Sequence, residues 1–309
     1  MKSLPPFRTG SPRIEQGYVQ PVEGIDIPFS VIEGTAPGPC LLITAGVHGS
    51  EFCSVEAAVR MQKTKPESFR GTLVILPIVN LGGFKQRSIY IMPEDGKNLN
   101  RMFPGRPDGS LSEKLANWLS TGVYPHADAY LDLHGGDLDE ALLPFTIFPR
   151  DSEKSRALAV AFGIPLAIAS DGKTHSISAA SQLGVPSLLP EMSGNGLWGE
   201  DSVGVLTAGI ARIMRHLGMI DGSAEPAPPP PDFVTMWVPT APVDGLWYSA
   251  KEIAQPVTSG EVLGEIKDPF GAVLATIRSE KPGIVVYRMT SLSVNQGEAL
   301  LGVGTPLVG

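Results

Sequence analysis

The 309-residue sequence predicts an α/β protein: a mostly parallel or mixed sheet with helices on both faces, plus a small all-β domain at the C-terminal end. Three observations carry this. Apolar runs of strand length alternate with stretches of helical period through residues 1–222. A proline-rich segment, Ser223-Ala224-Glu225-Pro226-Ala227-Pro228-Pro229-Pro230-Pro231-Asp232, then forms a stiff, extended spacer. Beyond it, residues 234–309 show short strands and glycine turns without helical period.

In chain order, residues 17–34 read as a hairpin turning near Glu23-Gly24. The run at 40–47 is a buried strand, and a helix follows at about 51–63. Residues 71–79 form another buried strand. A long polar, glycine-bearing loop runs from 80 to 109, and loops of that length in a compact domain are usually functional or disordered. A helix opens at 112–119 with Ser112 as its N-cap. A strand at 129–133 precedes strands near 143–148, 164–169 and 186–190, with the helix Glu153–Phe162 between the first two of these. Such alternation argues for parallel pairing with both faces covered.

The organisation is therefore a domain over 1–222, a linker over 223–233 and a β-rich domain over 234–309. The last contains an internal echo: Val257-Thr258-Ser259-Gly260-Glu261-Val262-Leu263-Gly264 recurs as Val294-Asn295-Gln296-Gly297-Glu298-Ala299-Leu300-Leu301. It resembles the barrel-sandwich fold of lipoyl and biotinyl carriers. Its central turn, Lys267-Asp268-Pro269-Phe270-Gly271, lacks the usual flanks of a modified lysine, so a structural role is expected.

The net charge of −8 argues against nucleic acid and against an anionic membrane surface as partners. No apolar run approaches the roughly 18 residues of a spanning helix, and the N-terminal residues lack the apolar stretch of a signal peptide. Two cysteines, Cys40 and Cys53, suit a reducing compartment, so a cytoplasmic location is expected. Oligomeric state stays open, a homo-oligomer included.

The chemistry is concentrated in Gly46-Val47-His48-Gly49-Ser50-Glu51 and Leu131-Asp132-Leu133-His134-Gly135-Gly136. His48 and His134 each end an apolar run, and Glu51 opens the following helix. Ligands of open α/β sheets gather beyond the carboxyl ends of the strands, so these three side chains are aimed at one place. Two imidazoles and a carboxylate form a three-residue zinc set with a position left for water. Asp132 reads as the partner that orients a ligand histidine. His126 and His216 read as structural, and His175 sits in a loop that can face the site.

Taken with Asp95-Gly96-Lys97-Asn98-Leu99-Asn100-Arg101-Met102-Phe103-Pro104-Gly105 and Pro190-Glu191-Met192-Ser193-Gly194, these motifs resemble the succinylglutamate desuccinylase/aspartoacylase family. The resemblance is closest to its bacterial branch of N-acetyl-diaminobutyrate deacetylases. It implies a carboxypeptidase-like α/β domain, one zinc ion per chain held by His48, Glu51 and His134, and removal of an acyl group from a small N-acylated amino acid. It makes Glu191 the general base toward water and then the acid toward the leaving amine, a role that needs a raised pKa. It makes Asn100 and Arg101 the substrate clamp. Arg87 is the candidate for holding the acyl oxygen, although it lies farther from Asn100 than the family spacing suggests. Asp95 and Asn98 are expected to shape the loop. The family also uses a tyrosine from its C-terminal region, here Tyr248 or Tyr287. Members that act on aspartyl or glutamyl substrates carry an arginine where this chain has Ala179-Ala180-Ser181-Gln182-Leu183-Gly184, so a neutral or cationic substrate side chain is expected.

Two other functions fit parts of the pattern. A zinc carboxypeptidase on short peptides would use the same residues. A non-enzymatic carrier or binding module would centre on 234–309.

Overall fold

The computed structural model describes residues 3–222 and 229–307, so the first part of the expected linker, 223–228, lies outside the described residues. In chain order the first elements are β1 (Arg13–Val22), β2 (Ile25–Glu33), β3 (Cys40–Ala45), α1 (Phe52–Met61), β4 (Thr72–Leu76), α2 (Leu81–Gln86) and α3 (Leu111–Trp118). Then come β5 (Ala129–Leu133), β6 (Glu140–Leu142), β7 (Phe145–Pro149), α4 (Glu153–Phe162), β8 (Leu166–Ser170), α5 (Ser176–Gln182), β9 (Ser187–Glu191) and α6 (Glu200–His216). The C-terminal strands are β10 (Asp232–Trp237), β11 (Gly245–Ser249), β12 (Pro256–Val257), β13 (Val262–Lys267), β14 (Val273–Arg278), β15 (Gly283–Met289), β16 (Ser293–Val294) and β17 (Leu301–Pro306).

Among the described residues, a 13-stranded mixed sheet runs β1-β2-β4-β3-β5-β9-β7-β8-β10-β17-β15-β12, with β6 paired to β15. Its centre is parallel: β4, β3, β5 and β9 run together, in register from Leu41↔Ala129 to Ala45↔Leu133 between β3 and β5. A separate four-stranded sheet, β14-β13-β11-β16, completes the C-terminal region. The strands after residue 231 thus divide between the two sheets, with β10 parallel to β8. No described helix is long and apolar enough to cross a membrane.

Burial on both faces follows from the period-two side-chain alternation of fully apolar strands. Leu41, Ile43 and Ala45 pack with Leu73, Ile75, Leu131 and Leu133 against Ala57, Leu158, Phe162 and the Val203, Leu206, Ile210, Ile213 stripe of α6. Leu42, Val74, Leu76 and Tyr130 face the opposite way, toward Leu115, Ala116, Ile177 and Ala180 of α3 and α5. Each fully buried aliphatic side chain contributes about 1.5–3 kcal/mol.

The helix expected at 112–119 starts one residue earlier and is capped by Ser110, not Ser112. The Ser110 hydroxyl accepts the Glu113 N–H, and Glu113 answers the Ser110 N–H. Ser112 is buried instead, and its N–H and hydroxyl both donate to Asp95, at 2.8 and 2.6 Å. Asp95 therefore ties the long loop to α3.

The sequence echo is a turn built twice. Thr258 N–H donates to Glu261 at 2.8 Å, and Asn295 N–H donates to Glu298 at 2.8 Å. The glycine of each turn, Gly260 and Gly297, has a positive φ, 83° and 89°. At the tip between β13 and β14, Lys267 pairs with Glu265 and lies over the Tyr248 ring, while Phe270 is 96% exposed.

Candidate active site

The site lies where β3, β5 and β9 end. Beyond β3 the chain passes so close to α2 that a Cβ on Gly49 would meet the Gly83 carbonyl carbon at 2.1 Å, so only glycine fits between His48 and Ser50. Glu51 stands at the N-cap of α1 but makes no side-chain capping bond. Its carboxylate is turned to two imidazoles instead: Oε1 lies 2.6 Å from His48 Nδ1, and Oε2 lies 2.9 Å from His134 Nδ1. Oε2 also accepts the Gly135 N–H at 3.2 Å. The two rings cross at 80° with centroids 4.9 Å apart. All three residues are buried. Burial alone would push Glu51 up; the charges and hydrogen bonds of His134 and His48 reverse this and hold it well below the usual carboxylate range.

One ligand atom from each residue lies within 4.8 Å of the others, so the trio can hold a metal ion. The outer ring nitrogens support this fit. His48 Nε2 is 3.1 Å from Asn98 Oδ1. His134 Nε2 lies 3.2 Å from Asp132 Oδ2 without hydrogen-bond alignment. Acceptors on the Nε2 side leave the Nδ1 lone pairs for a cation. Asn98 thus does more than shape its loop.

Asp132 sits in a buried polar chain. Its Oδ1 accepts the Thr44 hydroxyl at 2.6 Å, its Oδ2 accepts the Ser176 hydroxyl, and Thr44 contacts the Tyr130 hydroxyl at 2.8 Å. The carboxylate behind His134 is thereby fixed from two sides.

Glu191 ends β9 and forms a parallel bridge with His134. Its carboxyl is half-buried and pushed well up, by desolvation first and then by Glu51, Glu140 and Asp137. Arg101 lies in electrostatic reach of Glu191, Tyr90 and Tyr287, and its Nη1 donates to the Asn100 carbonyl at 2.9 Å. Asn100 is buried, and its Oδ1 accepts the Ser176 N–H at 2.9 Å, so it fastens α5 to the loop. Arg87 is exposed at the left-handed end of α2 (φ 56°), and its side chain makes no hydrogen bond or ion pair among the described residues. His175 is half-buried and held down to about 4, by desolvation first and then by Arg101, His134 and His48, which places it at the site's edge. His126 packs on Phe7, and His216 ends α6.

Between the two tyrosines the structure distinguishes clearly. Tyr287 lies on β15 opposite Leu142 of β6, and burial first, then the charge of Glu140, push its hydroxyl pKa up against the opposing charge of Arg101. Tyr248 is 46% exposed in the small sheet, against Lys267.

Four further residues join the site without an advance sequence signal. The Tyr90 ring meets His48 edge-on at 5.4 Å, and its hydroxyl donates to Glu140. Ser50 donates to Asp137. Strain collects here as well: Arg87, Tyr90, Ser193 and Asn195 all have positive φ, between 51° and 71°, on the two loops flanking the ligand trio.

Residues 37–217 match the succinylglutamate desuccinylase/aspartoacylase catalytic domain. The chain belongs to this family. Its members are hydrolases that release an acyl group from an amide nitrogen. The chain is 29% identical over 289 residues to the N-alpha-acetyl-L-2,4-diaminobutyric acid deacetylase of Halomonas elongata, covering 89% of this chain and 84% of that one. The crystal structure of a succinylglutamate desuccinylase/aspartoacylase from Rhodobacter sphaeroides superposes with a TM-score of 0.80 at 26% identity, covering 95% and 96% of the two chains. The product-bound ectoine utilization protein EutE (DoeB) of Ruegeria pomeroyi shares the fold, with a TM-score of 0.85 at 24% identity over 97% of each chain.

Proposed function

We propose that this family member is a zinc-dependent amidohydrolase that removes the acyl group from a small N-acylated α-amino acid. The observation that carries the reading is one carboxylate, Glu51, shared by two histidine Nδ1 atoms, with Glu191 bridged to one of those histidines. A zinc ion held by His48, Glu51 and His134 would supply Lewis-acid polarisation of the acyl carbonyl and of water.

The chain's own residues supply the rest. Glu191, kept basic by its apolar and acidic surroundings, takes the proton from the attacking water and returns it to the departing amine nitrogen. Arg101 grips the α-carboxylate, and Asn100 holds that loop against α5. Arg87, whose side chain has no partner among the described residues, is assigned the acyl oxygen as it gains charge. The pairing of β6 with β15, which brings Tyr287 to the edge of the site, supports a small substrate over a peptide. The Halomonas relative supports acetyl as the acyl group. Free, buried Cys40 and Cys53 support a reducing, cytoplasmic setting.

The test is turnover of N-acetyl and N-succinyl amino acids by zinc-loaded protein, with metal measured by elemental analysis. Release of free amino acid is expected. Zinc present at one per chain with no hydrolysis of any member would overturn the reading.

A further inference from the structure

Strand β6 is three residues long, and its one strand partner among the described residues is β15 of the C-terminal region. So short a strand does not hold its place alone. Three parts of the site nevertheless lean on it. Glu140 accepts the Tyr90 hydroxyl, and the Tyr90 ring meets His48. Gly136 follows the ligand His134, and a Cβ on it would lie 2.9 Å from the Glu140 carbonyl oxygen and 2.8 Å from Gly194 Cα. Gly194 follows the base Glu191, and a Cβ on it would lie 2.6 Å from the same oxygen and 3.0 Å from Ala141 Cα. Neither glycine has a positive φ, so close approach of backbones alone excludes a side chain.

We propose that β15 and Thr290 make the C-terminal region a positioning device for the reaction: they hold β6 and the 192–196 loop as one block, and that block sets the spacing of Glu191 from His134. This rests on the deacylase reading above. The ladder between β5 and β9 is continuous only over Tyr130↔Ser187 and Leu131↔Leu188. His134↔Glu191 is an isolated bridge beyond it. What packs past the strand ends therefore decides how the two side chains stand. A general base must come within about 2.6–3.2 Å of the group whose proton it takes. A displacement of about 1 Å can cost about 100-fold in rate.

Hydrogen bonds close the block from the C-terminal side. Asn195 N–H donates to the Glu140 carbonyl at 2.6 Å, Thr290 N–H to the Asp139 carbonyl at 2.6 Å, and the Thr290 hydroxyl to Asn195 Oδ1 at 2.7 Å. The register Met289↔Glu140 fixes β6 against β15, and Leu143 N–H extends the grip by donating to the Val286 carbonyl at 2.8 Å. Within the held loop, Ser193 and Asn195 keep left-handed φ values of 71° and 51°. Such strain persists where the surroundings over-determine the backbone. Thr290 acts through Asn195 and not on the substrate, so it is a positioning residue.

The experiment measures kcat, KM and zinc content of the zinc-loaded full chain, on the best N-acyl amino acid of the panel above, for five variants. Thr290→Val should lower kcat by about 2- to 10-fold, the worth of one hydrogen bond, with KM and zinc unchanged. Thr290→Ser keeps the hydroxyl and should restore the rate. Asn195→Gly suits the left-handed backbone but loses the acceptor, so it should match Thr290→Val, and the double variant should lose no more than either alone. Gly194→Ala drives the loop off β6 and should cost about 100-fold in kcat with zinc retained. Independently of turnover, hydrogen exchange at the Asn195 and Gly196 amides should be faster in Thr290→Val than in wild type. Wild-type kcat in a folded Gly194→Ala protein, or wild-type kcat and exchange in Thr290→Val, would overturn the positioning role and leave the deacylase reading standing. A loss in Thr290→Val that Thr290→Ser does not restore would do the same. No turnover of any panel member by wild type, with faster exchange in Thr290→Val, would overturn the deacylase reading and support the clamp.

Discussion

His134 and Glu191 form the last bridge between two neighbouring parallel strands, with His134 N–H donating to the Pro190 carbonyl at 2.9 Å. A ligand of the trio and the proposed base are thus spaced by sheet register, which holds them more tightly than two loops would.

That arrangement separates metal binding from proton transfer. Glu191→Gln keeps the shape and the bridge but removes the proton acceptor. It should lower kcat by about 100- to 10,000-fold, the usual contribution of a general acid–base group. Elemental analysis should find its zinc unchanged. Loss of zinc in parallel with activity would make Glu191 a ligand or a structural residue.

The polar chain behind His134 predicts a graded effect on metal affinity. His134→Ala removes a ligand atom and should leave protein that does not retain zinc through dialysis. Asp132→Asn, which weakens the acceptor facing His134 Nε2, should cost about 10- to 100-fold in affinity, as outer partners of metal ligands do. Competition with a chromophoric chelator measures both. Equal affinities for wild type and Asp132→Asn would reduce the Thr44–Asp132–Ser176 chain to a packing role.

Tyr287 and Tyr248 predict opposite outcomes. Tyr287 shares an interaction field with Arg101 and Glu140, so Tyr287→Phe should reduce kcat/KM for the acyl amino acid by about tenfold, the worth of one hydrogen bond to a charged group. Tyr248→Phe, on the far sheet, should leave it unchanged. Reversal of that pattern in steady-state kinetics would move the C-terminal contribution to the other sheet.

The legibility of this site follows from the range of the contacts that make it. His48, His134 and Glu191 each stand at the end of an apolar run, a local pattern whose parallel pairing carries the side chains to one edge. Asn100 was visible as a motif residue, but its work as the acceptor for Ser176 N–H needed the position of α5, which spans seven residues, three of them serines, and so gives little helical signal. Glu140 and Tyr287 meet through β6 and β15, a three-residue strand and a partner far along the chain, and no local period encodes that pairing. The local pattern points to Ser112 as the cap, two positions too late, because Ser110 is distinguished only by its reciprocal bond with Glu113.

Glu33 predicts how stability responds to acid. Its carboxylate, 8% exposed at the end of β2, accepts Thr9 N–H at 2.8 Å, the Thr9 hydroxyl at 2.7 Å, Gly10 N–H at 2.7 Å and Arg13 Nε at 3.3 Å. Burial pushes its pKa up, but the bonds from Thr9, Gly10 and Arg13 together outweigh this and leave it lowered from 4.5. Because the folded value lies below the unfolded one, the stabilisation is complete above pH 4.5 and fades as pH falls through the folded pKa. Glu33→Gln keeps the shape and loses the charge, so at pH 7 it should cost about 1.5–3 kcal/mol, the worth of hydrogen bonds to a charged group. Urea unfolding across a pH series should show the gap between wild type and variant closing below pH 4.5. A gap that stays constant down to pH 3, about a unit and a half below the unfolded value, would mean that side-chain shape rather than charge ties the N-terminal segment to the sheet.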